Sequence, residues 1–228
     1  MNTNIFNYLS YGVYIVTTMD GDKPVGCTAN CAMQVTAVPA TIAVSINHDN
    51  YTHACIEKTG KFAISILKET SDPIIIGAFG FSSSKNIDKF KHVSYEMKEG
   101  LPVLTDACGY IICNVIDKFE TLTHTIFLGD ALEGELGENP ESAMTYAYYH
   151  KELKGKTSKN APTFQTNEST STGSAASVKT APTEKIKETP KKATFVCEVC
   201  GYEYFEDSVP ADFICPICGQ GADVMKTV

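Results

Sequence analysis

The chain has 228 residues and a formal net charge of −8, and it contains no arginine, so lysine carries all of its basic charge. Nucleic-acid binding needs a basic face and favours arginine, which argues against that class of function. No stretch approaches the ~20 apolar residues of a membrane span, and the N-terminus lacks the pattern of a secretory signal. We therefore expect a cytoplasmic protein that binds neither nucleic acid nor a membrane.

Residues 1–160 carry the pattern of one domain that is mainly β with some α (α+β). The β-branched run from Gly12 to Thr18 predicts a strand, and Asp20-Gly21-Asp22 predicts a hairpin turn after it. Further strands are predicted at 25–35, 41–47, 62–67, 109–117 and 121–132. Many strands with few crossover helices favour a barrel or α+β domain over a doubly wound sheet.

Three helices interrupt the strands. Asn50 or Thr52 is expected to cap a helix that ends at Gly60. The apolar run at 74–79 predicts a second helix, and the aromatic-rich stretch at 141–153 predicts a third.

Residues 161–193 differ in composition from the rest of the chain. They are mostly Ser, Thr, Ala, Lys and Pro, and their large apolar residues are few. Such a segment cannot offset its own ordering entropy, which predicts a flexible linker. A coil of about 30 residues spans roughly 30 Å and holds its two ends at about millimolar effective concentration. The linker thus separates the domain at 1–160 from a small module at 194–228.

The small module contains two Cys-x-x-Cys pairs, Cys197/Cys200 and Cys215/Cys218, each followed by glycine. Four thiolates in two such knuckles predict a tetrahedral metal site, which suits zinc or iron. A segment this small buries too little apolar surface to fold alone, so the metal is expected to stabilise it.

The large domain lacks the glycine-rich phosphate motifs of Rossmann and P-loop proteins. It has instead four small polar clusters, at 26–31, 45–47, 50–52 and 80–90. Hydroxyls, a helix N-terminus and lysines suit a phosphate monoester when arginine is absent. Each cluster alone is also compatible with an ordinary turn or cap.

Residues 195–228 resemble the rubredoxins, through the knuckles CGY and CPxCG. The resemblance implies one iron held by Cys197, Cys200, Cys215 and Cys218, which carries one electron. Only fourteen residues separate the second and third cysteines, as in the shorter rubredoxin domains of rubrerythrin-like proteins. A structural zinc ribbon with the same ligands is the alternative. The module's acidic surface suits a redox partner reached by electrostatic steering.

Residues 5–155 resemble the flavin reductase-like FMN-binding split β-barrel. The resemblance rests on the segments GVYIVTT, TAN, SIN, FG…DKF and HTIFLGD in their order and spacing. It implies FMN at the interface of a homodimer. It also implies cofactor contacts from Thr28, Ala29, Asn30, Cys31, Ser45, Asn47, Tyr51, Thr52, Ser83 and Lys89. Lys89 would offset negative charge on the phosphate or the reduced flavin.

His124 matches a family histidine that lies near flavin and nicotinamide, where it would donate a hydrogen bond or a proton. Packing on a strand face is the alternative for this side chain. The chain also departs from the family, with Ser82 and Lys85 where arginine is common. The lack of arginine favours NADH over NADPH, because arginine commonly holds the 2′-phosphate.

The combination of the two domains resembles the high-molecular-weight rubredoxins. It implies electron transfer from NADH through FMN to the iron, and then to a flavodiiron protein that reduces oxygen or nitric oxide. FMN would convert a two-electron hydride into single electrons. The alternatives are a reductase that releases reduced flavin to another enzyme, and a non-catalytic flavin or zinc sensor.

Overall fold

The computed structural model describes residues 2–91, 93–153, 155–158, 160–163, 195–197, 203–206, 208–215 and 220–227. Nine strands lie in its first domain: β1 Tyr14–Asp20, β2 Lys23–Ala29, β3 Ala32–Ala37, β4 Ala40–Asn47, β5 Lys61–Ile66, β6 Tyr95–Lys98, β7 Leu101–Leu104, β8 Gly109–Glu120 and β9 His124–Leu136. Seven of them form an antiparallel sheet in the order β2-β1-β5-β8-β9-β4-β3, and β6 pairs with β7. The predicted mainly β character is confirmed.

The large sheet coils around a single apolar interior. Cys27 and Ala29 of the edge strand β2 pack in the same buried cluster as Val44 and Ile46 of β4. Phe62 of β5 and other side chains of β1, β8 and β9 complete that cluster. Because strands near opposite edges of the sheet share one core, the sheet has the curvature of a barrel.

Helix α1 (Tyr51–Thr59) follows β4 and confirms the predicted helix between Asn50 and Gly60. Gly60 ends it in the left-handed conformation (φ 66°), and its N–H donates to the carbonyl of Ile56. Glycine adopts that conformation without the steric cost that a side chain brings. The end of the helix is therefore encoded locally.

Helix α2 (Pro73–Gly80) begins with two residues that favour a helix start. The carboxylate of Asp72 accepts from the N–H of Ile74, and Pro73 occupies the first helical turn. The apolar side chains of α2 pack in a second core outside the barrel, where the rings of Phe79 and Phe90 meet edge to face at 5.0 Å. This packing holds α2 next to β2.

The third helix, α3 (Tyr146–Lys151), is shorter than the predicted helix at 141–153. The residues before it are extended instead: Ala143 forms a bridge with Lys68, and the Met144 N–H donates to the carbonyl of Leu67. The Thr145 hydroxyl then accepts from the N–H of Tyr148 and caps α3. Tertiary pairing thus overrides helix propensity in this stretch.

Two other features differ from the sequence prediction. The stretch at 25–35 forms two strands, β2 and β3, which are separated at Asn30 and Cys31. The β6–β7 hairpin was not predicted, because Pro102 and the charged residues of β6 disfavour a strand. Gly100 turns this hairpin with a φ of 78°.

The C-terminal module has three short strands, β10 (Phe195–Cys197), β11 (Glu203–Tyr204) and β12 (Met225–Thr227), in the order β11-β10-β12. Cys197, Cys215 and Met225 form its buried centre. Most of the predicted linker, from residue 164 to 193, lies outside the described residues. Among the described residues, no helix is long and apolar enough to cross a membrane.

Candidate functional site

A cavity of about 850 Å³ opens beside the barrel. The ends of β2 and β4, the first residue of α1 and the C-terminal half of α2 supply much of its wall. The rest comes from the loop after α2, from α3, and from the described residues between 156 and 162. Such a volume accommodates a cofactor-sized molecule.

Seven of the residues predicted to contact the cofactor line this cavity: Thr28, Ala29, Asn30, Ser45, Asn47, Tyr51 and Ser83. They come together because β2 and β4 both end at the cavity. The Ser45 N–H donates to the carbonyl of Cys31 at 3.0 Å, which ties the two strand ends to each other. Cys31 itself does not line the cavity, and burial raises the pKa of its thiol to about 11.

Two buried polar atoms near the cavity, Asn30 Oδ1 and Thr52 Oγ1, have no hydrogen-bond partner among the described residues. Asn30 Nδ2 is occupied, since it donates to Thr163 Oγ1 at 2.9 Å. Thr52 is fully buried and lies outside the cavity lining, and its side chain is directed at the Cys27 thiol, whose pKa is raised by burial and lowered by this contact. Unpaired buried polar groups are rare and costly, and of these two residues Asn30 lines the cavity, which makes its side chain the candidate contact for a bound molecule.

The N-terminus of α1 faces the same space, because Asn50 and Tyr51 line the cavity. The Asn50 side chain makes no capping hydrogen bond in the described part of the chain. The first N–H groups of the helix, together with its dipole, therefore favour an anion at this end. The phosphate of a flavin fits these donors, and the neighbouring strand ends leave room for its ring system.

The Tyr51 hydroxyl is already bonded within the protein and is not a free donor for a phosphate. Its hydroxyl donates to Asp20 Oδ2 at 2.6 Å, and this hydrogen bond raises the pKa of Tyr51 to about 12. Its ring therefore contributes to the wall of the cavity while its hydroxyl is directed to the end of β1.

Lys89 lies outside the cavity lining. Its amino group donates to the carbonyls of Gly26 and Phe79, each at 2.9 Å, and lies 5.7 Å from the centre of the Phe79 ring. The residue is only 4% exposed, and desolvation lowers its pKa to about 8. In this position Lys89 joins β2 to the C-terminal end of α2, both of which form walls of the cavity.

His124 lies one layer behind the cavity. It pairs with Asn47 across β4 and β9, and its Nε2 contacts the carbonyl of Asn160 at 3.3 Å. Because a carbonyl only accepts, Nε2 carries the hydrogen, and Nδ1 accepts from the hydroxyl of Thr123. Burial lowers the pKa of His124, so the ring is neutral at pH 7.

The described residues between 155 and 163 form a segment, here called the strap, that was not predicted to belong to the site. Asn160, Ala161 and Pro162 line the cavity. The strap is held by α3, since Tyr146 donates to Thr157 Oγ1 at 2.7 Å and His150 Nδ1 pairs with the carbonyl of Gly155 at 2.7 Å. The aromatic run in α3 was the available sequence signal.

The C-terminal module brings together the two predicted metal ligands that the structure describes. Cys197 and Cys215 are both buried in one small cluster, shielded by Tyr204 and Phe213. Cys200 and Cys218 lie outside the described residues. Two buried cysteines from separate knuckles fit a four-thiolate iron or zinc site.

Comparison with known proteins gives two family matches. The family described as "Flavin reductase like domain" matches residues 6–157, and the one described as "Rubrerythrin, rubredoxin-like domain" matches residues 195–226. The chain is 35% identical to the high molecular weight rubredoxin of Moorella thermoacetica over the full length of both proteins.

Two further relatives match the first domain. A ferric-chelate reductase (NAD(P)H) of Archaeoglobus fulgidus is 37% identical, over 72% of this chain and 98% of its own. The solved NADH:FAD oxidoreductase of Streptomyces globisporus is 25% identical, over 58% of this chain and 80% of its own, with a TM-score of 0.54. The chain therefore belongs to the flavin reductase-like family and, like the high molecular weight rubredoxin of M. thermoacetica, carries a rubredoxin-like domain at its C-terminus.

Proposed function

We propose that this cytoplasmic protein passes electrons from NADH through FMN to a rubredoxin iron, and from there to a flavodiiron protein. The observation that carries the proposal is one chain that joins two sites. One is a cofactor-sized cavity beside a helix N-terminus, and the other is a module with buried cysteines from two knuckles. Flavin-dependent electron transfer follows from the family, whereas FMN, NADH and the flavodiiron acceptor belong to the proposal.

The chain's own residues bind and orient the flavin. The N–H groups at the start of α1, that of Thr52 among them, would hold the phosphate, since the chain has no arginine to do so. Asn30 lines the cavity and its Oδ1 has no partner among the described residues, so this side chain would accept a hydrogen bond from the ring system. Thr28, Ala29 and Ser45 form the wall next to it.

The bound flavin supplies one kind of chemistry, which is to take two electrons as a hydride and release them singly. The overall reaction is balanced when NADH and two iron(III) centres give NAD⁺, one proton and two iron(II) centres. His124 lies behind Asn160, outside the cavity lining. A shift of the strap would free its Nε2–H for the nicotinamide.

We also propose a homodimer formed through the flavin domain. β3 exposes most of its side chains, among them Met33 and Val35. A groove of about 490 Å³ lies beside it, lined by residues of β3, β4 and β9 that include Ile42 and Leu132. Exposed apolar surface of this kind marks interaction sites. Light scattering with size-exclusion chromatography measures the mass in solution.

The test of the proposed function is anaerobic stopped-flow mixing of the iron-loaded, flavin-loaded protein with NADH. We expect flavin reduction first and then loss of the iron(III) colour. Cys200→Ser removes one thiolate ligand and is expected to abolish the second phase while leaving the first at its original rate. Loss of flavin reduction in Cys200→Ser would contradict two separable sites.

The same experiment separates the alternatives. A reductase that releases reduced flavin would lose its flavin on a desalting column and would not bleach the iron in the same chain. A sensor would show no reduction by NADH of either group. Purified flavodiiron protein, added afterwards, is expected to reoxidise the iron in the presence of oxygen or nitric oxide.

A further inference from the structure

Among the described residues, the C-terminal module contacts the flavin domain at the loop that follows α2. Gln220 Nε2 of the module donates to Ser82 Oγ at 3.2 Å. The ring of Phe81 packs against the module's apolar cluster, which is centred on Cys197, Cys215 and Met225. One hydrogen bond and one aromatic contact therefore meet at two consecutive residues of the flavin domain.

These two residues also belong to the wall of the flavin cavity. Phe81 and Ser82 follow α2 directly and line the cavity together with Gly80 and Ser83. The Phe81 N–H donates to the carbonyl of Gly77 at 3.2 Å, which extends the hydrogen bonding of α2 into the loop. The loop is thus attached to a packed helix, with one side toward the cavity and the other toward the module.

On the module side, the contact leads directly to the metal ligands. The carbonyl of Gln220 accepts from the N–H of Cys215 at 2.7 Å. Gln220 also follows Cys218 by two residues in the sequence. The side chain that reaches Ser82 therefore belongs to the knuckle that holds the third and fourth cysteines.

Charge supports the same pairing of surfaces. Lys85 and Lys91 are exposed on the segment that continues from this loop, and Lys23 is exposed beside it, where its Nζ donates to the carbonyl of Ser84. The module carries six acidic residues against Lys226. Opposite charges steer association and fix its orientation.

We propose that Phe81 and Ser82 form the docking site of the chain's own C-terminal module, with Gln220 and the cluster around Cys215 meeting the wall of the flavin cavity there. The inference rests on the proposed function and deepens it, because it names the surface through which the two sites communicate. Electron transfer falls steeply with distance, so docking at a shared wall places the cysteines where transfer is fast.

The first test measures docking without any electron transfer. The full-length protein is prepared with zinc, which occupies a four-cysteine site and is diamagnetic, and its ¹⁵N–¹H NMR spectrum is recorded. Ser82→Ala in the flavin domain is expected to shift the amide signals of Cys215 and of the Gln220 side chain in the module. Unchanged module signals in both Ser82→Ala and Phe81→Ala would overturn the inference.

The second test measures the rate from flavin to iron after photoreduction of the flavin, so that NADH is not required. Phe81→Ala is expected to slow this rate about fivefold or more, as for a buried aromatic at an interface. Gln220→Ala and Ser82→Ala are each expected to slow it about two- to tenfold. The double variant Ser82→Ala/Gln220→Ala is expected to be no slower than the slower of its two single variants, because each substitution removes the same hydrogen bond.

The controls keep the two proposals distinguishable. Phe205→Ala removes an exposed aromatic of the module that is not part of its cluster, and it is expected to leave both readouts unchanged. Gln220→Ala leaves the cavity intact, so a slower rate in it does not reflect lost flavin. If NADH fails to reduce the flavin, only the proposed function is contradicted. If Phe81→Ala, Ser82→Ala and Gln220→Ala all leave the module's NMR signals and the rate from flavin to iron unchanged, only the docking site is contradicted.

Discussion

Thr52 is a fully buried residue at the helix end where the flavin phosphate is proposed to bind. It lies at the start of α1 with no exposed surface, and its Oγ1 lacks a hydrogen-bond partner among the described residues. Such a group costs about 1–3 kcal/mol when it is left unsatisfied. Because the hydroxyl is directed at the Cys27 thiol and lies outside the cavity lining, it would donate to a phosphate only after a change of side-chain rotamer.

The prediction is that Thr52→Val has opposite effects on stability and on flavin binding. Valine has nearly the same shape and removes the unsatisfied hydroxyl, so the flavin-free protein is expected to be as stable as the parent or more stable. Flavin affinity is expected to fall about five- to thirtyfold, which corresponds to one strong hydrogen bond. Thermal unfolding of the flavin-free protein and fluorescence titration with FMN measure the two effects.

Thr17→Val is the matched control for this substitution. Thr17 is equally buried, but its hydroxyl already donates to the carbonyl of Pro102. Its loss is expected to lower stability and to leave FMN affinity unchanged. A Thr52→Val protein that behaves like Thr17→Val would show that Thr52 has a structural role and makes no contact with phosphate.

Lys89 is the second residue with a testable prediction, because its buried environment shifts its pKa. It is nearly fully buried and bonded to two carbonyls, and its pKa is lowered from 10.5 to about 8 by desolvation. The unfolded chain therefore binds more protons than the folded chain between pH 8 and 10.5. Stability linked to Lys89 is expected to rise with pH through that window, by up to roughly 3 kcal/mol in total.

The prediction for Lys89 is checked directly by ¹⁵N NMR of the lysine amino groups, with Lys89→Met used to assign the signal. We expect this signal to titrate near pH 8. In urea unfolding, the stability of the parent relative to Lys89→Met is expected to increase from pH 8 to pH 10. A midpoint close to 10.5 would mean that water reaches the amino group.

At the scale of elements, strands and capped helices were predictable, and the strap was not. The β-branched runs of β1 and β4 and the glycine at the end of α1 carry their signals locally. The start of α3 depends on distant partners, as the pairing of Ala143 with Lys68 shows. The strap has no periodic pattern at all, because its position is set by contacts with Tyr146, Tyr149 and His150.

The residues of the candidate site likewise fall into those that the sequence predicts and those that it does not. The residues at strand ends, such as Thr28 and Asn47, follow from the resemblance to the family and from the local pattern of the chain. Lys89 was assigned to the cofactor from its segment alone, and the sequence does not reveal that its amino group is directed to Gly26 and Phe79. Asn160 lines the cavity from a distant part of the chain, which no local pattern indicates.

Gly155 links the strap to α3, and Gly155→Ala is the prediction that tests this contact. A Cβ at this position would lie 2.0 Å from the buried ring of Tyr149, with two more ring atoms within 2.5 Å. The ring is packed in the core and cannot move aside, so the strap is expected to shift. We expect a loss of about 1–3 kcal/mol in stability together with faster flavin release.

Tyr149→Leu provides the control for Gly155→Ala. The smaller side chain gives space to the added methyl group, so the double variant is expected to lose less stability than the sum of the single variants. Strict additivity in thermal unfolding would show that the strap does not pack on Tyr149. Flavin release, followed by the recovery of flavin fluorescence, reports on the cavity in the same samples.

At the scale of the whole molecule, the two redox sites belong to one chain, and this determines how they meet. The segment at 161–193 is expected to act as a tether that keeps the module at about millimolar concentration near the cavity. Assay concentrations of the protein are micromolar, so encounters within the chain, or within a dimer, outnumber those between separate molecules.

The prediction is that the rate of iron reduction after flavin reduction does not change when the protein is diluted tenfold. Stopped-flow absorbance measures it, with NADH kept in excess. As a comparison, Cys200→Ser protein, which has a working flavin site, is mixed with flavin-depleted parent protein. Iron reduction in that mixture is expected to be slower and proportional to concentration, because the electron must then pass between molecules. If the intact protein also shows a rate proportional to its concentration, the module receives electrons from other molecules, and the tether serves only to join two independent domains.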